Sequence, residues 1–552
     1  MAKIRLTPTA EVVLKKRYLS RNRQGEISET PECLFHRVAH AIAVADVLLD
    51  RQASAETSAE AFEEALTSLS FLPNTPCLIN AGKPLGQLSA CFVLPIEDSL
   101  ESIFEALKET ALIHQSGGGT GFSFSRLRPH GDTVRSTHGV SSGPVSFMRV
   151  FDMATETIKQ GGARRGANMG VLHVSHPDIE EFIRAKEPSG QFRNFNLSVA
   201  VDDIFIDALK KGNYYPLIHP RTGSVVGRRS AKKILEMMAE CAWESGDPGI
   251  LFIDTVNRTN PTPSLGKIEA TNPCGEQPLL PYESCTLGSI NLTKVINGKG
   301  ISYRKLKELV HLGVHFLDNV VEVNRYPIRQ IEEMSKKTRK IGLGVMGFAD
   351  TLILLGIPYQ SKKAVNLAEE IMSCINECAV EASIRLAEKR GNFPAFGKSI
   401  YPAKGIKKRR NATLTTVAPT GTISLIAGVS SGIEPVFAFS LKRRIIDSVI
   451  KEIHPIYERY QKEKRPISEK IFQTAWDIPP EWHLKVQAAF QKYTESAVSK
   501  TVNFPASATP EGIEKAFLMA LDMDLKGVTV YRDKSRPGQT LAACSLKSEE
   551  CD

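Results

Sequence analysis

The chain has 552 residues, 42% hydrophobic and 24% charged, a balance that supports a large buried core and excludes disorder over most of its length. No run of about 18 apolar residues occurs, and the N-terminus, MAKIRLTPTAEVVLKK, lacks the apolar stretch and small-residue cleavage site of a signal peptide, so no membrane span is expected and a cytoplasmic location is. The formal net charge is +9, yet the basic residues are dispersed, with only short clusters such as Lys407–Arg410, which argues against nucleic acid and suits small polyanions such as nucleoside phosphates.

Taken in chain order, residues 1–70 read as a helical cap, with apolar positions at helical spacing in LFHRVAHAIAVADVLLD (34–50) and AEAFEEALTSLSF (59–71). From residue 71 the texture changes to short apolar runs punctuated by glycine and proline: SACFVLP (89–95), TGFSFSRL (120–127), MGVLHV (169–174) and CTLGSINL (285–292) are expected strands. Helices are expected over 98–115, 145–160, 176–187 with Pro177 in the first turn, and 364–391, stopped by Gly391. Strands alternating with helices predict parallel βα units, hence one large α/β body over 71–533 that closes with KGVTVYRD (526–533). Residues 534–552 lack a core-forming pattern and are expected to be a mobile tail.

The ten cysteines follow no disulfide framework and no zinc-like spacing, which points to a reducing compartment, to transient or catalytic disulfides, and to no metal. Cys274 lies in NPCGE (272–276), where Pro273 and Gly275 make a sharp, rigid turn and Asn272 and Glu276 can converge on the thiol as hydrogen-bond donor and general base. The bland alternative is a buried structural cysteine. Cys91 and Cys285 each sit in a strand-like run and could face one another across adjacent strands, as a dithiol/disulfide pair requires Cα atoms within about 7 Å.

Other stretches read less sharply. SGGGTGFSFS (116–125) lacks the Lys-Ser/Thr of a phosphate loop, so a turn before a strand is the simpler reading. The glycine-rich 159–170, with two arginines, suits recognition of a base or phosphate, or is a solvated basic turn. Thr420, Gly421, Thr422 and Ser424 place hydroxyls and amides at a helix start, either an anion site or ordinary capping. Asp98 reads as a helix cap, with a ribose hydroxyl as its other possible partner, and Cys374 and Cys378, four apart on one helix, read as core.

In their order along the chain, NTPCLINAG, SACFVLPIEDSLESI, SGGGTGFSFSRLRP, GVSSGPVSFM, KQGGARRGANMGVLHVSHPDIEEFI, NPCGEQPLLPYESCTLGSINL, APTGTIS and GVTVYRD resemble a ribonucleotide reductase catalytic chain, specifically the adenosylcobalamin-dependent class II enzymes, over roughly residues 70–535. The resemblance implies a ten-stranded α/β barrel threaded by a finger loop whose tip cysteine becomes a thiyl radical. Carried onto this chain, Cys274 takes the substrate's 3′ hydrogen, Glu276 is the base on the 3′ hydroxyl, Asn272 helps hold the ribose, and Cys91 and Cys285 supply two electrons and end as a disulfide. The implied cofactor is adenosylcobalamin, because no side chain makes a radical unaided.

The same resemblance implies substrate phosphates on Thr420, Gly421, Thr422 and Ser424, with Thr75 and Ala90 near them or the ribose. It implies a homodimer whose interface binds a deoxynucleotide or ATP effector through Asp98 and Arg128, with Lys159, Gln160 and Arg164 relaying the effector's choice to the substrate base. The partner implied for re-reduction is a thiol protein such as thioredoxin. Three departures from family patterns bear on these expectations. Only about 70 residues precede the barrel motifs, so inhibition by dATP at an N-terminal regulatory domain is not expected. Tyr531 stands alone where class I chains carry a tyrosine pair, which favours the cobalamin class over a chain needing a separate radical-generating subunit. The tail cysteines Cys544 and Cys551 are seven apart rather than in a close C-x-x-C. No D-x-H-x-x-G motif offers a histidine to cobalt, and no R-x-x-G-Y setting marks a glycyl radical. A non-catalytic nucleotide-binding regulator is the remaining alternative.

Overall fold

The computed structural model describes residues 4–134, 139–158, 166–187, 191–298, 300–445, 448–535 and 541–543. Helices α1 (Pro8–Arg17), α2 (Pro31–Leu49) and α3 (Ala55–Thr67) open the chain. Each begins at a hydroxyl cap: Thr7 accepts from the amide of Ala10, Thr30 from Cys33 and Ser54 from Thr57, so one orphan donor of each first turn is satisfied. Pro8 and Pro31 occupy first-turn positions, where a missing N–H costs nothing. Leu34, Phe35, Val38, Ala39 and Ile42 recur at helical spacing on α2, and like Phe62 and Leu66 of α3 they are buried in a shared core.

The body is built on two sheets. Strands β1 (Phe71–Pro73), β2 (Cys91–Leu94), β3 (Gly119–Ser123), β4 (Asn168–His173), β5 (Phe195–Val201) and β6 (Gly249–Phe252) come first. Next come a short hairpin, β7 (Ala270–Thr271) and β8 (Pro278–Leu279), then β9 (Ser284–Cys285), β10 (Leu287–Asn291), β11 (Gly342–Met346), β12 (Thr501–Phe504) and β13 (Gly527–Arg532). Eight strands form the larger sheet in the order β9-β2-β3-β4-β5-β6-β13-β12, and β1-β10-β11 form the second. Pairing is parallel from β2 through β6 and between β12 and β13, and antiparallel at β6–β13 and β9–β2. Only Thr286 separates β9 from β10, so one run of chain serves both sheets. β3, β10 and β11 are buried at every position, as expected for strands covered on both faces.

Residues 412–418, ATLTTVA, have a strand-like sequence but form only isolated parallel bridges, Leu343 with Thr415 and Val417 with Val498. The segment divides its backbone bonds between two neighbours: Thr416 N bonds to Leu343 O and Val417 N to Ala497 O, so neither side builds a long ladder. The helix expected over 176–187 is confined to Ile179–Ile183. Among the helices of the body are α4 (Leu100–Gln115), α5 (Gly143–Thr157), α6 (Tyr303–Val323), α7 (Lys362–Arg390) and the short α8 (Ile423–Ala427). Beyond residue 533, Leu541–Ala543 pairs antiparallel with residues 441–443. No helix among the described residues is long and apolar enough to cross a membrane.

The β7–β8 hairpin lies against the larger sheet, and glycines make room for it. A Cβ at Gly121 of β3 would stand 1.8 Å from the carbonyl oxygen of Thr271, and one at Gly119 would stand 2.9 Å from Cγ of Pro273. Gly119 and Gly121 therefore serve the close approach of the hairpin.

Candidate active site

The hairpin tip is the Asn272–Gly275 turn. Gly275 N donates to Asn272 O at 3.1 Å, Pro273 constrains its own φ, and Gly275 adopts φ +80°, a left-handed conformation that suits glycine. The turn is braced from within and without: Gln277 N donates to Asn272 Oδ1 at 2.9 Å, and Asn196 Nδ2 of β5 donates to the carbonyl of Pro273 at 2.7 Å. Cys274 is exposed at the tip, while Asn272 and Glu276 on either side are buried. Glu276 is held through its carbonyl, which accepts from Ala497 N at 3.0 Å and Thr416 Oγ1 at 2.8 Å.

Cys91 and Cys285 are directly opposed in the β2–β9 register. Opposed residues of an antiparallel pair have Cα atoms about 4.5–5.5 Å apart, inside the range a disulfide spans. Both are thiols here, and Asn272 Nδ2 donates to Cys91 Sγ at 3.1 Å. Burial first, then the adjacent Cys91 and the negative charge of Glu276, push the Cys285 thiol well above its usual range. Cys285 is thus kept protonated at neutral pH.

A cavity of about 400 Å³ opens beside these groups, within the range of small-ligand sites. Cys91, Cys274 and Glu276 line it, as do Thr75, Ala90, Thr420, Gly421 and Thr422. Thr420 takes φ +51°, unusual for a β-branched residue, and its Oγ1 accepts from Gly432 N at 2.7 Å, which pins the loop in that shape. Ser424 is not in the lining; it is fully buried with its hydroxyl 3.0 Å from that of Ser431. Sequence patterns did not flag Arg17 and Tyr18, which reach the same cavity from the end of α1, with Tyr18 Oη 2.8 Å from Thr75 Oγ1. Their only signal is a basic last helical turn, which helix-dipole compensation explains equally well.

A second cavity, of about 380 Å³, flanks the other side of the tip and is lined by Asn196, Lys500, Asn503, Thr529 and Tyr531 among others. Cys274 and Pro419 are the two residues that line both cavities. Lys500, also unflagged by sequence, is buried; its Nζ pairs with Glu434 and lies 2.8 Å from His483 Nδ1. Burial pulls its ammonium below the usual lysine range against the pull of Glu434, and burial with the Lys500 charge drives His483 well below the usual histidine range, so His483 is a neutral acceptor.

Asp98 and Arg128 come together, though with each other: Arg128 Nε donates to both carboxylate oxygens at 3.0 and 2.9 Å, and its amide to Oδ1 at 3.0 Å. Asp98 does not cap α4, because Ser99 holds that position and accepts from Ser102 N at 3.1 Å. Cys374 and Cys378 lie with sulfurs 3.9 Å apart on α7, Cys378 in the core. Lys159, Gln160, Arg164, Cys544 and Cys551 lie outside the described residues.

The sequence is similar to those of known proteins. Residues 89–531 match the family model described as ribonucleotide reductase, barrel domain, and residues 4–86 match that described as ribonucleotide reductase, all-alpha domain. A vitamin B12-dependent ribonucleoside-diphosphate reductase of Thermoplasma acidophilum is 46% identical, over 99% of this chain and 81% of its own length. The protein of the same description from Mycobacterium tuberculosis is 46% identical over 99% of this chain and 80% of its own. A vitamin B12-dependent ribonucleotide reductase of Streptomyces avermitilis is 31% identical over 90% of this chain and 62% of its own.

Proposed function

The chain belongs to the class II, vitamin B12-dependent ribonucleotide reductases, enzymes that make deoxyribonucleotides, and on that premise we propose which of its residues perform the reduction and on what substrate. The substrate is a ribonucleoside diphosphate, bound in the 400 Å³ cavity with its ribose over Cys274 and Glu276 and its phosphates toward Thr420–Thr422. Because α8 is only five residues long, the phosphates rest on hydroxyls and loop amides more than on a helix dipole. The observation that carries this reading is the position of Cys274, on a braced tip between two cavities, one of which also contains Cys91 and Glu276.

The chemistry then balances. The Cys274 thiyl radical removes the 3′ hydrogen and becomes a thiol; Glu276 takes the 3′ hydroxyl proton; the 2′ hydroxyl leaves as water after protonation by the Cys91/Cys285 pair. Two electrons and the pair's second thiol hydrogen pass to C2′ as the two thiols become a disulfide, Glu276 returns its proton to the 3′ oxygen, and the 3′ hydrogen returns from Cys274, restoring its radical. The protonated state of Cys285 suits a hydrogen donor rather than a thiolate nucleophile. The stiffness of Pro273-Cys274-Gly275 keeps the sulfur near one C–H bond.

Adenosylcobalamin, when bound, supplies the unpaired electron by homolysis of its Co–C bond. The second cavity fits the nucleoside end of that cofactor: it shares Cys274 and Pro419 with the first cavity but not Thr420–Thr422, and offers Asn196, Asn503 and Thr529 as polar contacts.

In this reading the eight-stranded and three-stranded sheets are parts of one ten-stranded barrel, with β9 and β10 counted as one continuous strand. Support comes from the antiparallel switches at β6–β13 and β9–β2, and from the bridges through which residues 415–417 join β11 to the segment leading into β12. The domain division keeps to the sequence expectation, a helical cap over 1–70, the barrel over 71–533 and a cysteine-bearing tail over 534–552. A homodimer forms through α4 and α5, whose outward faces carry Leu100, Phe104, Leu112, Val150 and Met153, beside Asp98 and Arg128, which take the effector nucleotide. Lys159, Gln160 and Arg164 pass the effector's choice to the base, a coupling that is reciprocal. Tail cysteines Cys544 and Cys551 receive electrons from a thioredoxin-like thiol in a cytoplasmic setting.

The test is turnover of the purified chain with adenosylcobalamin, a ribonucleoside diphosphate and a dithiol. Cys274→Ser abolishes product while retaining nucleotide binding, and Cys91→Ser stops multiple turnover. Sustained cycling by Cys91→Ser would refute the reductant assignment, and no turnover by the wild type would remove cobalamin dependence.

A further inference from the structure

We propose that Arg17, supplied by the first helix of the N-terminal region, is the cationic contact for the terminal phosphate of the substrate. The inference rests on the 400 Å³ cavity being the substrate site. Among the described residues that line this cavity, Arg17 is the only lysine or arginine, and Glu276 is the only acid. Without it, the phosphates of a nucleoside diphosphate entering the cavity would meet no cationic side chain among the described lining residues.

Three further observations point the same way. Arg17 is the last residue of α1, and α1 packs against α8, the short helix after Thr420–Thr422, so the cation and the phosphate loop approach the cavity from two touching elements. Tyr18, next in sequence, is hydrogen-bonded to Thr75 and fixes the end of α1 at the cavity wall. The Nε of Arg17 is buried with no hydrogen-bond partner among the described residues. Elsewhere in this region Arg37 is fully engaged, its Nε 2.7 Å from Glu29 Oε1. A buried guanidinium donor without a partner is costly, and a fork of five N–H groups matches phosphate oxygens in pairs.

Dipole compensation at the C-terminus of α1 accounts for Lys15 and Lys16 as well as for Arg17. It does not account for Arg17 alone lining the cavity with its Nε withdrawn from water. The helical region would thus complete the active site and contribute to reading the phosphate end.

The experiment is steady-state kinetics of the full chain with a ribonucleoside diphosphate, with inorganic pyrophosphate as competitive inhibitor. Arg17→Gln should raise KM and the pyrophosphate inhibition constant by about tenfold or more, with kcat within about twofold and an unchanged melting temperature. Arg17→Lys should recover part of the loss, since it restores charge without the fork. Unchanged KM and pyrophosphate inhibition in Arg17→Gln would overturn the proposal, as would a fall in kcat and melting temperature in both variants, which marks a structural role. Ala90→Phe separates the two levels. If filling the cavity leaves KM unchanged, the cavity is not the substrate site; if it abolishes turnover while Arg17→Gln is silent, only the Arg17 assignment falls.

Discussion

The side-chain amide of Asn272 donates a hydrogen bond to the sulfur of Cys91 at 3.1 Å, tying the base of the finger turn to one of the two opposed thiols. Its other end accepts from Gln277 N, so a single buried side chain sets both the shape of the turn and the position of a reductant. Asn272→Ala should therefore lower kcat more than tenfold, on the order of 2 kcal/mol in the barrier, because both the tip geometry and the thiol pair loosen. Asn272→Asp keeps the acceptor but loses the donor and adds a negative charge beside Cys91. It should slow disulfide formation in single-turnover experiments at least as severely as the alanine variant. Near wild-type single-turnover rates in either variant would remove Asn272 from the positioning role.

The hairpin can occupy the body's interior only because β3 has no side chain where the two backbones meet. A methyl group at Gly121 would lie 1.8 Å from the carbonyl oxygen of Thr271, and a backbone atom cannot swing aside as a flexible side chain can. Gly121→Ala should destabilise the protein by about 3 kcal/mol or more and abolish turnover, read by denaturant unfolding and activity. Gly397→Ala, where nothing stands within 4 Å of the new carbon, should stay within about 1 kcal/mol of wild type by the same measurement.

These two positions show what local sequence carries. The Pro-Cys-Gly turn is legible because proline and glycine act on their own backbone, and the strand settings of Cys91 and Cys285 are legible from short apolar runs. The α/β alternation is legible for the same reason. Arg17, Lys500 and the purpose of Gly119 and Gly121 are not, since each depends on a partner far along the chain: α1 on α8, Lys500 on Glu434 and His483, β3 on the hairpin. The strand-like sequence at 412–418 builds no ladder because it divides its bonds between two neighbours, and the capping of α4 is displaced by one residue, Ser99 in place of Asp98.

Leu100 and Phe104 are four apart on α4 and Val150 and Met153 three apart on α5, so both helices direct an apolar ridge outward; Leu100, Phe104 and Met153 are 64%, 51% and 69% exposed. If this face is the dimer interface beside Asp98 and Arg128, Phe104→Asp should weaken dimerisation by at least about 2 kcal/mol, roughly thirtyfold in dissociation constant. Sedimentation should show monomers at concentrations where the wild type is dimeric, and the effector should lose its influence on which base is reduced. A variant that remains dimeric with intact effector response would place the interface elsewhere.

Asp46 of α2 links the helical region to the body. Its carboxylate lies 2.7 Å from His315 Nε2 and 2.9 Å from Asn319 Nδ2, both on α6, and pairs with Arg390 of α7. Burial alone would raise its pKa, but the hydrogen bond and charge of His315, with Asn319, outweigh it and bring the group down to about 2. A depressed carboxylate stabilises the fold above its unfolded pKa, near 4, and that contribution fades as the pH falls toward 2. Asp46→Asn should cost on the order of 2 kcal/mol at pH 7, and the gap between wild type and variant should shrink steadily between about pH 4 and pH 2. Denaturant unfolding across that range measures it. A gap independent of pH would mean that packing at this contact, and not the charge of Asp46, holds α2 against α6 and α7.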